Sequence, residues 1–147
     1  MKTTVVITAH NEEKNIGKCL RSVVRQKPDE VLVVCHNCTD RTIEIAKGFE
    51  EARIFDYKGP EGVVYAKMKG FEEASNEYVA CIDGDSWALP GWVRKITRPL
   101  ENKEVAASGG TVLFFNSLSA SLAGLSFFVF SPIFKNNFKF YFWGANF

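Results

Sequence analysis

The feature that most constrains this chain is an alternation, over roughly its first hundred residues, of short β-branched runs with segments of helical period. Thr3 to Ala9 is a β-branched run suited to a buried strand. Ile16, Leu20, Val23 and Val24 follow at i, i+4, i+7 and i+8 with charges on the other side, which predicts an amphipathic helix. Glu30 to Val34 is a second strand, after which Thr39 or Asp40 caps a helix carrying Ile43, Ala46 and Phe49. Arg53 to Tyr57 makes a third strand. Gly59, Pro60 and Gly62 then mark a loop before a helix with Val64, Met68 and Phe71 on one face. Tyr78 to Ile82 is a fourth strand, and Pro90 stands near the first turn of a helix that buries Trp92 or Val93, Ile96 and Leu100.

Strands separated by helical crossovers predict an α/β fold, with a mostly parallel sheet covered by helices on both faces. Ligands of such sheets bind outside the carboxyl ends of the strands. Three loops therefore matter, those after Ala9, Val34 and Ile82. At 147 residues, without internal repeat or linker, residues 1–147 are expected to form a single domain able to bury a core without metal or disulfide staples.

Charge is distributed unevenly. The 18 basic and 17 acidic residues nearly cancel, which excludes a nucleic-acid binder working by bulk charge. All the acids lie at or before Glu104, whereas Val105 to Phe147 holds only Lys135 and Lys139 and most of the 13 phenylalanines. The most apolar stretch, Leu118 to Phe130, is shorter than the ~20 residues that span a bilayer. An amphipathic or interfacial element is expected there, with strands to Phe115 and near Phe138 to Trp143 on either side. Ser117 to Phe134 suits either a lipid-linked acceptor or bilayer surface, or a core segment. Val5 to Ile7 is too short for a signal peptide, and four unevenly spaced cysteines do not make a disulfide framework. Both point to the cytoplasm, with peripheral contact at the cytoplasmic membrane left open.

Three constellations carry chemistry. Asp83-Gly84-Asp85 directly follows a buried strand, and side chains at i and i+2 of an extended segment share a side. Two carboxylates facing one point call for a cation, a proton or a turn that parts them. An EF-hand is excluded, because counting from Asp83 puts Ala88 where glycine and Arg94 where glutamate are required. Cys35-His36-Asn37-Cys38 has the spacing of a redox dithiol, but the helix cap falls after the second cysteine, and structural thiols in a tight loop are the alternative. His10 and Asn11 end the first strand at the same sheet edge. Lys67 precedes the Asp-Gly-Asp strand, either as a solvated charge or as a phosphate ligand. No P-loop or dinucleotide fingerprint is present.

Taken together, Val5-Val6-Ile7-Thr8-Ala9-His10-Asn11-Glu12-Glu13, then Val33-Val34 to Asn37-Cys38-Thr39-Asp40-Arg41-Thr42, then Ala66-Lys67 before Gly70, then Ile82-Asp83-Gly84-Asp85, resemble the family 2 glycosyltransferases with the GT-A fold. The resemblance implies inverting transfer of a sugar from a nucleotide-diphosphate donor to a sugar or lipid-linked hydroxyl acceptor, helped by Mg2+ or Mn2+. It implies that Ala9, His10 and Glu12 form a nucleotide-contacting first loop, that Lys67 is the basic residue near the nucleotide, that Asp83 contacts the ribose or the metal, and that Asp85 is the direct metal ligand. Cys35 and His36 stand where the family often has an acidic or amide residue reading the base, which places His36 among the nucleotide contacts. The family's acidic catalytic base, often in a Glu-Asp pair, and its later Gln-x-x-Arg-Trp motif have no counterpart here, and no acid follows Glu104. The expectation is thus the donor half of such an enzyme, with its base beyond Phe147. A nucleotide-sugar-binding fragment without catalysis and a dithiol redox protein are the competing readings.

Overall fold

Thr3–Ala9 forms β1, buried along its whole length and placed at the centre of the sheet. The computed structural model describes residues 1–102 and 104–110. The chain divides into two compact units, Met1–Ser108 and Gly109–Phe147, and the description concerns the first. The strands expected near Phe115 and Phe138 to Trp143, and the apolar Ser117 to Phe134 stretch, lie outside the described residues.

Around β1 the elements follow in the predicted alternation: α1 (Ile16–Val24), β2 (Glu30–His36), α2 (Thr42–Lys47), β3 (Ala52–Tyr57), α3 (Val63–Glu73), β4 (Tyr78–Asp83) and α4 (Trp92–Thr97), which a 3-10 turn extends over Arg98–Glu101. Among the described residues the strands form one parallel sheet in the order β3-β2-β1-β4. Ile7 stands opposite Val33 on one side and Ile82 on the other, and Thr8 opposite Val34 and Asp83. The first three strands build outward from β1 in one direction, and β4 adds to its other edge. The order reverses between β1 and β4, the kind of switch point where an open α/β sheet leaves a crevice.

Alternation along the strands assigns the two faces. Val5, Ile7, Val31, Val33 and Cys35 pack with Ile16, Cys19, Leu20 and Val23 of α1 and with Ala46 of α2. Val6, Leu32 and Val34 pack on the opposite face with Ala66 of α3. The sheet is therefore covered on both faces, as the pattern predicts.

Three helices depart from the expectation. The last, α4, has no fully buried residue: Trp92, Val93 and Ile96 are partly buried against the core, and Leu100 falls in the 3-10 turn that follows. The second ends at Lys47, so Phe49 lies beyond it, though its ring still packs partly buried on the core. In α3 the predicted apolar face is exposed: Val64 is 62%, Met68 53% and Phe71 48% accessible. Its buried residues are instead Ala66 and Gly70. The reason is close approach, for a Cβ on Gly70 would lie 2.4 Å from Val6 Cγ1. Small residues admit this backbone to the sheet where the larger apolar ones do not fit.

Candidate functional site

The loops after β1, β2 and β4 meet at the carboxyl edge of the sheet. Asn11 and Asn37 follow β1 and β2 closely, and both occupy left-handed backbone, at φ 54° and 47°. Asparagine tolerates this conformation better than most residues. It turns each chain sharply, and each side chain then ties down the next loop. Asn11 Oδ1 accepts from the Thr39 and Asp40 amides at 2.8 and 3.3 Å. The Asn37 amide group donates to Gly59 O at 2.9 Å and accepts from Gly59 N at 3.2 Å.

Asp40 links the first two loops. One carboxylate oxygen accepts from Thr42 N at 2.9 Å at the start of α2, and the other from Glu13 N at 3.0 Å. Desolvation works against its charge, but these bonds and one from the Thr42 hydroxyl hold the carboxyl below the usual aspartate range. Thr42 Oγ1 in turn accepts from Glu12 N at 2.7 Å. The carbonyl of Glu12 starts α1 by accepting from Asn15 and Ile16, at 3.0 and 2.8 Å. Its side chain accepts from Asn15 Nδ2 at 2.9 Å. Burial raises the Glu12 pKa, and the charges of Asp85 and Asp40 push it the same way. Acidic groups from the first, second and fourth strand ends thus feel one another across this edge.

The Asp83-Gly84-Asp85 segment leaves β4 beside β1. Gly84 N donates to Thr8 O at 2.8 Å, and a Cβ on Gly84 would lie 3.1 Å from Ala9 Cβ, so the two exits are nearly in contact. The aspartates occupy different surroundings. Asp83 Oδ1 is 3.0 Å from Lys67 Nζ and accepts from Thr8 Oγ1 at 3.0 Å. Lys67 is thereby a bound charge under the strand end rather than a solvated one, its side chain 25% exposed. Asp85 is exposed and accepts from the adjoining Ser86 hydroxyl at 3.3 Å. Two carboxylates in one motif are separated by a cation on one and open solvent on the other.

The other expected residues are distributed as follows. Ala9 is buried with its carbonyl 3.4 Å from Cys38 Sγ, and His10 is exposed with Nδ1 2.8 Å from His36 O. His36 is only 4% exposed, its ring stacked on Tyr57 at 5.2 Å and its Nε2 3.2 Å from Asn37 Nδ2. It lines the floor between loops rather than their rim. What the sequence did not single out are the ties that join one strand end to the next: Thr8 to Asp83, Asp40 to Glu13 and Asn37 to Gly59. The available signal was an asparagine placed shortly after each of two strands.

Cys35 and Cys38 are free thiols, 0% and 7% exposed. A hydrogen bond from Cys35 lowers Cys38 to about 6, against burial and with help from Asn11 N–H, while the same bond and burial push Cys35 up. Exchange with a partner disulfide requires an accessible sulfur, and this pair is covered by its own loop. Cys19 is also buried, and desolvation with the nearby charges of Asp85, Asp83 and Glu12 pushes it up to about 12.

Metal ligation can be weighed from the donors present. Among the described residues no three His, Cys, Asp or Glu side chains converge to hold an ion. A divalent cation here would draw on Asp85, with Asp83 beside it, and complete its shell from water and ligand oxygens. That fits magnesium or manganese bound together with substrate phosphates, since such ions commonly take one or two carboxylates. It does not fit a closed structural zinc site.

Known proteins resemble this chain in sequence and fold. AglE, a glycosyltransferase of Haloferax volcanii, is 33% identical over 119 residues, covering 76% of this chain and 39% of that protein. Glucosyl-3-phosphoglycerate synthase of Mycobacterium tuberculosis superposes with a TM-score of 0.61 at 26% identity, over 69% of this chain and 41% of the other. The 1–349 segment of TarS from S. aureus gives 0.60 at 20% identity, over 80% and 40%. The fold is that of the GT-A glycosyltransferases, and the chain spans 39% of the length of AglE and 17% of that of the GlyA glycosyltransferase of Streptococcus pneumoniae. With the glycosyl transferase family 2 model matching residues 4–144, this chain belongs to glycosyl transferase family 2.

Proposed function

We propose that this chain supplies the donor side of an inverting glycosyltransferase, binding a nucleotide-diphosphate sugar with Mg2+ or Mn2+ for transfer to a hydroxyl acceptor. The observation that carries the reading is the unequal state of the two aspartates at the β1/β4 switch point. Asp83 already has a cation and a hydroxyl on Oδ1, so it is suited to orient the ribose or to complete the metal shell through its other oxygen. Asp85, exposed at the edge, is suited to ligate the metal directly. Ala9, His10 and Glu12 would line the nucleotide from the first loop, with His36 beneath the base and Lys67 near the nucleotide.

A divalent ion held at Asp85 would supply positive charge to the departing diphosphate. The chain's own part is to bind and orient. Lys67 and Thr8 hold the Asp83 carboxylate in place, each at 3.0 Å, while the asparagine-tied loops would hold the donor at one distance from the strand ends, where orientation counts for several kcal/mol. No acid of the donor site is assigned as the acceptor's general base. Glucosyl-3-phosphoglycerate synthase has been crystallised with Mn2+ and UDP; that likeness extends to the fold, and the metal reading here rests on Asp85. A lipid-linked hydroxyl at the cytoplasmic membrane is the acceptor most compatible with the Phe-rich composition of Ser117 to Phe134.

Calorimetry with UDP and GDP, with and without MgCl2 or MnCl2, tests the proposal. Asp85→Ala should lose at least about tenfold in metal-dependent affinity, ~1.4 kcal/mol, with unchanged circular dichroism. Equal affinity in the variant refutes the metal role of Asp85. Absence of nucleotide binding by the folded wild type under every metal condition refutes the donor reading.

A further inference from the structure

Between Glu13 and Asp29 the chain carries Lys14, Lys18, Arg21, Arg25 and Lys27 and no acid. Lys14, Lys18, Arg21 and Arg25 are spaced i, i+4, i+7 and i+11 and all are exposed, opposite the Ile16, Cys19, Leu20 and Val23 stripe that α1 buries. Among the described residues the cations in ion pairs are Arg41, Arg53, Lys58, Lys67 and Lys69, so the basic residues of α1 are not neutralised from within. The segment after β4 is fastened along this helix. Ala88 N donates to Ser22 Oγ at 2.9 Å, Gln26 Nε2 to Leu89 O at 3.1 Å, and Val93 N to Gln26 Oε1 at 3.1 Å. These bonds hold Trp87, 41% exposed, and Leu89, 55% exposed, beside the basic row. Lys18 Nζ lies 5.3 Å from the Trp87 ring centroid. Lys18, Arg21, Ser22, Arg25 and Trp87 together line an open groove of about 280 Å³. From Ser86 to Leu100 the chain adds Arg94, Lys95 and Arg98 and again no acid.

We propose that this outer face of α1, with Trp87 and Leu89, seats the protein on an anionic lipid surface. The cations from Lys18 to Arg25 are spread over about 10 Å of helix, wider than one phosphate and suited to several headgroups. An indole and a leucine beside them supply the apolar contacts that an interface rewards and a free phosphate does not. Because basic and acidic residues nearly cancel over the whole chain, the attraction belongs to one face and would orient the molecule. The inference goes beyond the donor reading and does not depend on Asp85.

Flotation with phosphatidylcholine vesicles, with and without phosphatidylglycerol, tests it. The wild type should float with the anionic vesicles, remain behind with phosphatidylcholine alone, and be released by high salt. Each basic residue near such a surface contributes about fivefold to partitioning. Lys18→Gln/Arg21→Gln/Arg25→Gln should therefore lower binding roughly a hundredfold while retaining UDP affinity, which also reports its folding. Trp87→Phe should remove most of the blue shift in tryptophan emission that vesicles induce in the wild type. The proposal is overturned if the folded wild type does not float, if the triple variant floats like the wild type, or if heparin binds the same face as tightly as the vesicles do, which would assign it to a soluble polyanion. Loss of UDP binding by Asp85→Ala with flotation unchanged would separate the two sites.

Discussion

Glu30→Gln should destabilise the fold by an amount that depends on pH, without altering the donor site. Glu30 stands at the amino end of β2, opposite the edge that carries the aspartates. Its carboxylate accepts from Thr4 Oγ1 at 2.6 Å, from Ser75 N and Oγ at 2.8 and 2.9 Å, and from Arg53 Nε at 3.1 Å. One side chain thus joins β1, β2, β3 and the approach to β4. Burial alone would raise its pKa, but these bonds bring it from 4.5 down to about 2. At 1.36 kcal/mol per pH unit this corresponds to about 3 kcal/mol in favour of the folded, ionised form. The side chain is 14% exposed, so little of this is lost to solvent, whereas Arg53, at 43%, adds less than its distance suggests. Since the folded pKa is depressed, the contribution is complete above the unfolded value near 4.5, shrinks as pH falls, and is gone below about 2. Urea unfolding at pH 7 should show the variant about 3 kcal/mol less stable, and at pH 3 the difference should be roughly half as large. UDP affinity of the folded variant at pH 7 should match the wild type. A destabilisation of equal size at both pH values would refute the argument, because it would show that Glu30 acts through shape and not charge.

Gly70→Ala should lower the midpoint of thermal unfolding despite alanine's better helix propensity. The new methyl meets Val6 Cγ1 at 2.4 Å in a region where Val6 and Val34 have no exposed surface, and overpacking costs ~1–3 kcal/mol against a gain of at most ~1. Scanning calorimetry decides, and an unchanged or raised midpoint would mean that α3 can retreat from the sheet at little cost. Cys35→Ser/Cys38→Ser should retain nucleotide binding within about tenfold, ~1.4 kcal/mol, and neither it nor the wild type should reduce insulin disulfides. Catalytic reduction by the wild type would reinstate the dithiol reading.

The sheet was legible because its signal is redundant. β1 and β2 are runs of β-branched residues with both faces buried, and the helix between them has the right period and polarity, so local and tertiary preferences agree. In α3 they disagree. Val64, Met68 and Phe71 have the apolar spacing of a buried face, but contact with the sheet selects for small volume at Ala66 and Gly70, which hydrophobic periodicity does not register. Lys67 was legible as a residue and ambiguous in role; only the register that sets Thr8 beside Asp83 shows which aspartate it meets. The loop ties of Asn11, Asn37 and Asp40 span 20 to 30 residues of sequence. Such pairings are properties of the strand order, and no local spacing encodes them.

The opposite ends of the sheet use charge for different purposes. At the amino edge, Glu30 is satisfied by hydroxyls, an amide and a guanidinium from three neighbouring segments, leaving little capacity for a ligand. At the carboxyl edge, satisfaction is partial and uneven. Asp83 has Lys67 and Thr8 on one oxygen, and Asp85, among the described residues, has its neighbour's hydroxyl at 3.3 Å. An arrangement built for stability alone would pair both aspartates or replace them, since adjacent like charges cost free energy unless a cation intervenes. Lys67 resolves half of that repulsion. Gly84, where an added Cβ would lie 3.1 Å from Ala9 Cβ and 3.2 Å from Thr8 O, tighter than an ordinary contact, keeps Asp85 close to the β1 exit at the switch point. The unresolved half is what the proposed donor role would use: a divalent ion held at Asp85 would draw the rest of its shell from water and ligand oxygens, since such ions commonly take one or two carboxylates.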